Sequence, residues 1–268
     1  MYKIKTDSHE IVPSPFNAMV NYFNKRNAAV HAAHLLPYLR PDFRLLDVGC
    51  GGGSITLDLA RILKNGHTIG LDVERNLISV AQELSTSTDA KNVEFDVGNV
   101  HDLSRFGDET FDVVHAHQVT LHLENPVGAI KEMRRVLKTG GILALRDNSS
   151  MIVTPTIPAL DHYMLKFRDW HRSLGKHPGG GLQHHLWAHQ AGFSWDKITM
   201  DSDAWEESGQ QSRSDWVLGA GRGWNGTALK AGVITEEENA EWTAAWKEWE
   251  DAADGRLMAL DSTLICIK

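Results

Sequence analysis

The chain has 268 residues, of which 42% are hydrophobic and 23% charged, and its formal net charge is −8 at pH 7. These proportions are ordinary for a globular protein in water, and the negative charge disfavours general binding to nucleic acid or anionic membranes. The two cysteines, Cys50 and Cys266, are too few for a disulfide framework. Because the sequence has no run of about 18 apolar residues and no signal-peptide core at its N-terminus, we expect a soluble cytoplasmic protein.

The chain then follows a regular order of predicted elements. A helical N-terminal segment is predicted over about residues 17–39. Between residues 41 and 150, five apolar runs of strand length alternate with three amphipathic segments of helix length. The runs are FRLLDVG, HTIGLDV, NVEFDVGNV, FDVVHAH and GILALRD, the last of them ending at Asp147. This alternation is typical of a parallel sheet with helices on both faces.

The alternation stops after Asp147. Two helices are predicted over about 157–192, joined by GKHPGGG, and a strand follows within WDKITMDSDAW. A helical region continues to about residue 255, and STLICIK forms the last strand. The sequence therefore predicts an α/β, Rossmann-like, seven-stranded and mostly parallel sheet with helical insertions near the C-terminal end.

The segment LLDVGCGGGS, residues 45–54, places four glycines in five positions between the first strand and the first helix. Glycine loses the most conformational entropy on folding, so this cluster indicates a backbone that a ligand approaches closely. Ligands of open α/β sheets bind at this edge, beyond the carboxyl ends of the strands. The dinucleotide fingerprint G-x-G-x-x-G fails, because its last glycine is replaced by Ser54 or Thr56 in the two possible alignments.

Two carboxylates near this loop indicate the charge of the ligand. Asp47 precedes the glycines, where it would repel a pyrophosphate but suit a ligand with an ammonium and a sulfonium group. Asp72 ends the second strand, where a carboxylate can accept hydrogen bonds from both ribose hydroxyls. A cationic nucleoside is therefore favoured over a phosphate, and a nicotinamide-dependent oxidoreductase is disfavoured.

Five motifs in order resemble those of class I S-adenosylmethionine-dependent methyltransferases, in their ubiquinone/menaquinone-biosynthesis-like, small-molecule branch. They are LLDVGCGGGS, IGLDVERNLI, VEFDVGNVHDL, FDVVHAHQVTLHLENP and RVLKTGGILALRD. The resemblance implies that S-adenosyl-L-methionine is the cofactor. It places Gly49 and Gly51 against the methionyl part, with Asp47 supporting the loop and Asp72 holding the ribose.

The same resemblance assigns the rest of the cofactor site. Val73, Leu77 and Val100 would line the adenosine, and Asn99 stands where relatives place an aspartate that accepts from the adenine amino group. An asparagine can still accept through its carbonyl oxygen. His117 and Gln118 would face the methionine part. Tyr22, with its neighbours Phe23 and Arg26, lies on a helix that in relatives folds over the cofactor.

Candidate catalytic residues follow the fourth and fifth strands. His117 and His122 are placed to face the methyl group, and histidine is a suitable base near neutral pH; alternatively, His115 and His117 bond only to backbone. Asp147 is a candidate for orienting an acceptor hydroxyl or amine, with a local salt bridge to Arg146 or a helix cap as the alternative. The acceptor atom, oxygen, nitrogen or carbon, is left open.

Three other groups of residues have competing interpretations. His185 and His189 are four residues apart, but Leu186 replaces the glutamate of a H-E-x-x-H motif, so a solvated helix face is preferred to a metal site. Trp242, Trp246 and Trp249 share one helix face and are expected to pack against the domain or a second subunit rather than to form a ligand cage. Residues in 155–178 are expected to be core or acceptor walls: His162, Tyr163, Phe167 and Trp170.

The predicted function is methyl transfer to a small molecule, an intermediate of biosynthesis or of secondary metabolism. The predicted organisation is a helical lid (1–40), a cofactor-binding core (41–150), a helical acceptor-side insertion (151–195) and the last two strands with a helical insertion (196–268). The alternative is a protein that binds the cofactor without methylating, either for sulfonium-assisted cyclisation or as a regulatory subunit. No metal, nucleic-acid or membrane partner is expected, and a homodimer is plausible.

Overall fold

The computed structural model describes residues 15–88 and 91–268. Its centre is a seven-stranded sheet in the order β3-β2-β1-β4-β5-β7-β6, in which β7 runs antiparallel to both of its neighbours and the other pairs are parallel. The strands are β1 (Arg44–Val48), β2 (His67–Asp72), β3 (Val93–Val97), β4 (Phe111–His117), β5 (Leu137–Thr154), β6 (Ile198–Glu207) and β7 (Arg256–Ile267). The predicted fold class is confirmed.

Ten α-helices are present in the described ranges. They are α1 (Pro15–Phe23), α2 (Ala28–His31), α3 (Ser54–Ile62), α4 (Arg75–Thr86), α5 (Pro126–Val136), α6 (Pro158–Ser173), α7 (His184–Gln190), α8 (Gln210–Trp216), α9 (Asn225–Lys230) and α10 (Glu236–Asp251). None of the helices in this part of the chain has the length and apolar character that a membrane crossing requires.

The alternating side chains of the central strands supply a hydrophobic core on each face of the sheet. Leu46 and Val48 of β1 join the core under α5 and α7, whereas Leu45 joins the core under α2 and α3. This is the period-two pattern of a strand buried on both faces. Asp47 faces the second of these cores, so a carboxylate is carried into the protein where β1 ends.

The prediction that the fifth strand ends at Asp147 is wrong. β5 continues to Thr154 because β7 pairs with it along its whole second half, from Ser150 opposite Leu260 to Thr154 opposite Arg256. The pairing shifts register between Asn148 and Ser150. Beyond that shift, β5, β7 and β6 form a three-stranded antiparallel extension that projects past the carboxyl edge of the parallel strands.

One face of this extension carries a second hydrophobic core. Leu257 and Ala259 of β7 pack there with α6, α8, α9 and α10. Trp242, Trp246 and Trp249 are fully buried in this core, and Trp249 also donates from its indole nitrogen to the carbonyl of Thr154 at 2.9 Å. The three indoles therefore pack the helical insertion onto the sheet.

The predicted helix over residues 17–39 is divided into separate segments. α1 ends at Phe23, and α2 begins after Asn27, whose side chain accepts from the backbone N–H of Val30 and caps the new helix. A turn of 3-10 helix, Leu36–Tyr38, follows. The cap at Asn27 offers the backbone a local alternative to a continuous helix.

Candidate active site

The glycine loop lies at the carboxyl edge of β1, as the sequence predicts, and two of its glycines are required for different reasons. Gly49 has a φ of +68°, and a Cβ on it would lie 2.4 Å from a methyl group of Val119, so the fold itself requires this glycine. Gly51 has a φ of +55°, and no atom lies within 4 Å of the position that its Cβ would take. The loop therefore opens onto free space at Gly51, which fits a ligand that lies against the backbone.

Asp47 supports this loop from below. It is buried, and its two carboxylate oxygens accept from the Thr56 hydroxyl at 2.5 Å and contact His115 Nδ1 at 2.7 Å. Thr56 lies on α3 and His115 on β4, so the carboxylate ties the loop to both elements. His115 Nε2 is buried without a hydrogen-bond partner among the described residues.

Asp72 contacts the same loop from the neighbouring strand. Its Oδ2 accepts from the backbone N–H of Gly51 at 2.9 Å, and its Oδ1 accepts from that of Glu74 at 3.0 Å. Each carboxylate oxygen retains a lone pair for a further donor. The side chain is thus oriented by the backbone and still able to accept from ribose hydroxyls.

The predicted adenosine residues lie next to Asp72 at this edge. Val73 is 60% exposed and Leu77 is half-buried, whereas Val100 is buried. Asn99 is exposed, and its Oδ1 accepts from the backbone N–H of His101 at 3.0 Å, so it also stabilises the turn after β3. Of these four residues, Val73 and Asn99 are the exposed ones.

A cavity of about 1350 Å³ begins at the glycine loop and extends beneath α6. At the loop end it is lined by Tyr22, Arg26, Asp47, Gly49, Gly51, His117 and Gln118. At the far end its walls come from α6, the segment 148–153 and the segment 176–187. The structure thus brings together the predicted residues of the loop, α1 and β4 in one cavity, whereas Asp72, Val73, Leu77, Asn99 and Val100 lie on the adjoining edge outside it.

Residues of α1 and of the turn that follows it line the loop end of the cavity. The Tyr22 hydroxyl donates to Glu207 Oε1 at 2.9 Å, which ties α1 to β6. The Arg26 guanidinium lies 4.4 Å from the centre of the Phe23 ring and has no ion-pair partner among the residues that the structure describes. Burial lowers the pKa of Arg26 to about 10, so it remains charged at neutral pH.

His117 lies at the end of β4, packed edge-on against His31 of α2 with 5.4 Å between ring centres. It is 8% exposed, and its Nε2 has no partner within the described ranges. Burial, together with the charge of Arg26, holds the pKa of His117 well below its usual value. The imidazole is therefore neutral, and its Nε2 is enclosed by protein without a hydrogen-bond partner among the described residues.

Gln118 has a φ of +57°, and its side chain faces the sheet. Its amide nitrogen donates to Asp261 Oδ2 at 3.2 Å, and its carbonyl oxygen accepts from the backbone N–H of Asn148 at 3.1 Å. Asp261 is shared with the buried Arg146, whose Nε lies 3.0 Å from the same oxygen. The side-chain amide of Gln118 is thus used within the protein, and its backbone N–H donates to the carbonyl of Arg146 at 2.7 Å.

The structure does not support a direct role for Asp147 in orienting the acceptor. Asp147 is buried and does not line the cavity. Its oxygens accept from the backbone N–H of Val119 at 2.7 Å and of Leu121 at 3.2 Å, from the Thr120 hydroxyl, and contact His184 Nε2 at 3.0 Å. Asp147 therefore fixes the loop after β4 and joins it to α7.

His122 lies at the far end of that loop and lines the cavity. The ring remains exposed to solvent, but the surrounding protein desolvates it in part and lowers its pKa to about 4. The charge of Lys176 opposes protonation further, against the attraction of Asp147. His122 is neutral at physiological pH and is able to accept a hydrogen bond.

The remaining candidates are placed as follows. His185 and His189 are exposed, and His189 stacks on Trp195 with 4.0 Å between ring centres. Within residues 15–88 and 91–268, no group of three or more His, Cys, Asp or Glu side chains is positioned to hold a metal ion.

Of the aromatic residues predicted on α6, Phe167 lines the cavity, whereas Tyr163 is part of the second core and donates to the carbonyl of Gly221.

The sequence reasoning missed several polar residues of the site. His184, which pairs with Asp147, lies next to the two histidines that were considered for metal binding. The burial of His184 could not be predicted from sequence, because α7 has only seven residues, too few for a hydrophobic pattern that identifies its buried face. Arg168, Arg172 and Lys176 line the far end of the cavity, and no local motif marked them.

The fold defines the class of the protein as Rossmann-like, with an open glycine loop and an oriented carboxylate at the carboxyl edge of β1 and β2. Residues 39–211 match the family model described as a methyltransferase domain, which is more than half of the chain. The chain belongs to this methyltransferase family, and it is an S-adenosylmethionine-dependent methyltransferase, as the sequence predicts.

Individual comparisons agree with this assignment. The chain is 31% identical over 265 residues to the probable methyltransferase ltbC of Aspergillus luteorubrus, covering 91% of this chain and 92% of that protein. It is 28% identical over 173 residues to the demethylmenaquinone methyltransferase of Alkalihalophilus pseudofirmus, covering 64% of this chain and 71% of that one. Its fold is similar to a solved putative methyltransferase of Bacillus halodurans, with a TM-score of 0.58, 20% identity and coverage of 88% and 97%.

Proposed function

We propose that this enzyme transfers the methyl group of S-adenosyl-L-methionine to a small organic molecule held in the cavity beneath α6. The observation that carries the proposal is the continuity of the cavity from Gly51 to the segment 176–187. A volume of about 1350 Å³ exceeds the usual range for one small ligand, about 300–1,000 Å³, so the cavity has room for an acceptor beside part of the cofactor.

The residues at the loop end fit the cofactor. The open position at Gly51 admits the methionyl part against the backbone, and the oriented carboxylate of Asp72 accepts from the ribose. The exposed Val73 offers an apolar surface to the adenine. Arg26 is half-buried, lines the cavity and has no ion-pair partner among the described residues, so it is suited to pair with the carboxylate of the methionyl part.

When bound, S-adenosylmethionine supplies an electrophilic methyl group, and the protein has to place a nucleophile in line with it and exclude water. His122 is neutral and lines the cavity, so its imidazole can accept a hydrogen bond from an acceptor hydroxyl or amine. His117 lines the loop end of the cavity as a second neutral ring.

Label transfer tests this proposal. Tritium from methyl-labelled S-adenosylmethionine is followed into a total organic extract of small metabolites and, in parallel, into protein and RNA precipitated from the same cells. We expect the label in the small-molecule extract. Label that is confined to precipitated protein or RNA would overturn the proposal.

A variant with a narrower acceptor end tests where the acceptor binds, and its affinity for the cofactor product is the control. Met164 lies on the cavity face of α6, and Met164→Trp adds a large ring there without touching the glycine loop. We expect this variant to lose label transfer and to retain the affinity of the wild type for S-adenosylhomocysteine within about twofold. Unchanged transfer in the variant would place the acceptor elsewhere.

A further inference from the structure

Positive charge is concentrated at the acceptor end of the cavity, although the chain as a whole is negative. The residues of α6 that line the cavity include Leu160, Asp161 and Met164 in its first half and two cations, Arg168 and Arg172, in its second half. Lys176 follows in the turn after the helix and lines the same end. Three cations thus border one region in a protein whose formal net charge is −8.

These cations have few partners of their own. In the part of the chain that the structure describes, no carboxylate lies within 4.0 Å of the Arg168 or Lys176 side-chain nitrogens. Arg172 contacts only Asp169 of its own helix, at 3.9 Å between two exposed side chains, and such a pair contributes little. The charges are therefore available to a ligand.

Carboxylates do not balance the charge within the cavity either. The acidic residues that line it, within the described ranges, are Asp47 and Asp161. Asp47 is occupied by Thr56 and His115, and Asp161 lies two turns before Arg168 on α6. A cavity with walls of one charge and low polarisability raises the local concentration of ligands of the opposite charge.

The surroundings of the cations are apolar and aromatic. Phe167, Leu182, Trp187 and Met151 line this end, and His177 packs edge-on against Trp187 with 5.1 Å between ring centres. His177 Nε2 is buried and has no hydrogen-bond partner among the described residues. A buried polar nitrogen without a partner is unfavourable.

We propose that the methyl acceptor is an amphipathic anion, with a flat apolar body against Phe167, Met151 and Trp187 and an acidic group between Arg168, Arg172 and Lys176. The acidic group is a carboxylate, a sulfonate or a phosphate, since these share the geometry that arginine recognises. This inference rests on the proposed function, because it assigns the occupant of the same cavity.

A matched pair of probes tests the proposal. Anilinonaphthalene sulfonate is an apolar ring system with one anionic group, and N-phenylnaphthylamine is the same ring system without it. Both are titrated by fluorescence into the protein saturated with S-adenosylhomocysteine. The titrations are repeated with Arg168→Gln/Arg172→Gln/Lys176→Gln and with a control, Lys64→Gln/Arg75→Gln/Lys230→Gln, which removes three exposed cations away from the cavity.

We expect the cavity variant to bind the sulfonate about tenfold more weakly or worse, and to bind the neutral probe within about twofold of the wild type. The control should leave both affinities unchanged, since its net charge matches that of the cavity variant. Equal affinity of the wild type and the cavity variant for the sulfonate, or equal loss for both probes, would overturn the proposal.

Calorimetric titration of S-adenosylhomocysteine with the same samples separates this inference from the proposed function. If the wild type binds the nucleoside but the three substitutions leave the affinity for the sulfonate unchanged, only the proposal of an anionic acceptor is overturned. Failure of the wild type to bind the nucleoside overturns the proposed function and, with it, this inference. Thermal melts of both triple variants report whether each is folded, and their substitutions are at exposed or half-buried positions.

Discussion

Asp147 of β5 and His184 of α7 are joined by a 3.0 Å contact between two side chains that are almost completely buried. The same carboxylate accepts from the backbone of Val119 and Leu121. A single buried group thus connects the sheet, a helix of the far wall and the loop that carries His122. The position of His122 in the cavity depends on this connection.

The variant Asp147→Asn should weaken the protein and its catalysis together. The amide has only one acceptor oxygen, so at least one of the backbone donors at Val119 and Leu121 loses its partner. We expect the free energy of unfolding to fall by about 2–3 kcal/mol. Methyl transfer should fall as the loop loosens, while affinity for S-adenosylhomocysteine is retained.

Urea unfolding of the variant and the wild type measures this effect. Asp254→Asn removes the same charge from an exposed position and should change stability by less than about 0.5 kcal/mol. An Asp147→Asn protein as stable as the control would show that the contacts of the carboxylate do not hold the loop.

Asp72 gives a prediction for the cofactor. Asp72→Ala removes the acceptor for the ribose and the anchor of the Gly51 N–H. Hydrogen bonds to a charged group are worth about 1.5–3 kcal/mol each, so affinity for S-adenosylhomocysteine should fall at least about tenfold. Calorimetric titration measures the change, with Glu83→Ala on the exposed face of α4 as the control. Equal affinities of the two variants would remove Asp72 from the cofactor site.

Stability should depend on pH through four histidines whose pKa values are lower in the folded protein than in the unfolded chain. Burial lowers the pKa of His31 and His122 to about 4 and that of His34 to about 3, and it holds the pKa of His117 well below its usual value. Below about pH 6.5 the unfolded chain binds protons that the folded protein does not. Stability should therefore be constant above about pH 7 and fall between about pH 6.5 and 4.

Thermal melts between pH 8 and pH 5 test this dependence, because carboxylates titrate mainly below that range. His34→Leu removes a partly buried imidazole whose two nitrogens have no partner among the described residues, so its melting temperature should fall less steeply with acid than that of the wild type. His101→Gln, at an exposed histidine, should follow the wild type. A stability that rises from pH 7 to pH 5 would contradict the account.

Local sequence patterns were sufficient to predict which residues lie at the loop end of the site. The glycine loop, Asp47 and Asp72 each follow from a short apolar run and the residues directly after it, and the parallel order of the strands brings them to one edge. The length of β5 was not visible in this way. It depends on pairing with β7, about 100 residues later in the chain, and the side chains of Ser150–Thr154 alternate between exposed and half-buried, so their burial did not mark a strand.

The positions of the side chains at the acceptor end depend even more on tertiary packing. Gln118 and Asp147 directly follow predicted strands, and only the structure shows that their side chains bond to Asp261 and to the loop after β4 instead of facing the cavity. Arg168 and Arg172 lie one helical turn apart on a helix that also carries exposed charges. That both side chains border the cavity depends on how α6 packs over the sheet, which the local sequence does not show.

A crystal structure of the protein with S-adenosylhomocysteine tests the central claim most directly. The account predicts the ribose hydroxyls on the Asp72 carboxylate, the homocysteine part against Gly51 and near Arg26, and the sulfur facing the cavity beneath α6. A nucleoside bound away from Asp72, or one whose sulfur is separated from that cavity by protein, would contradict it.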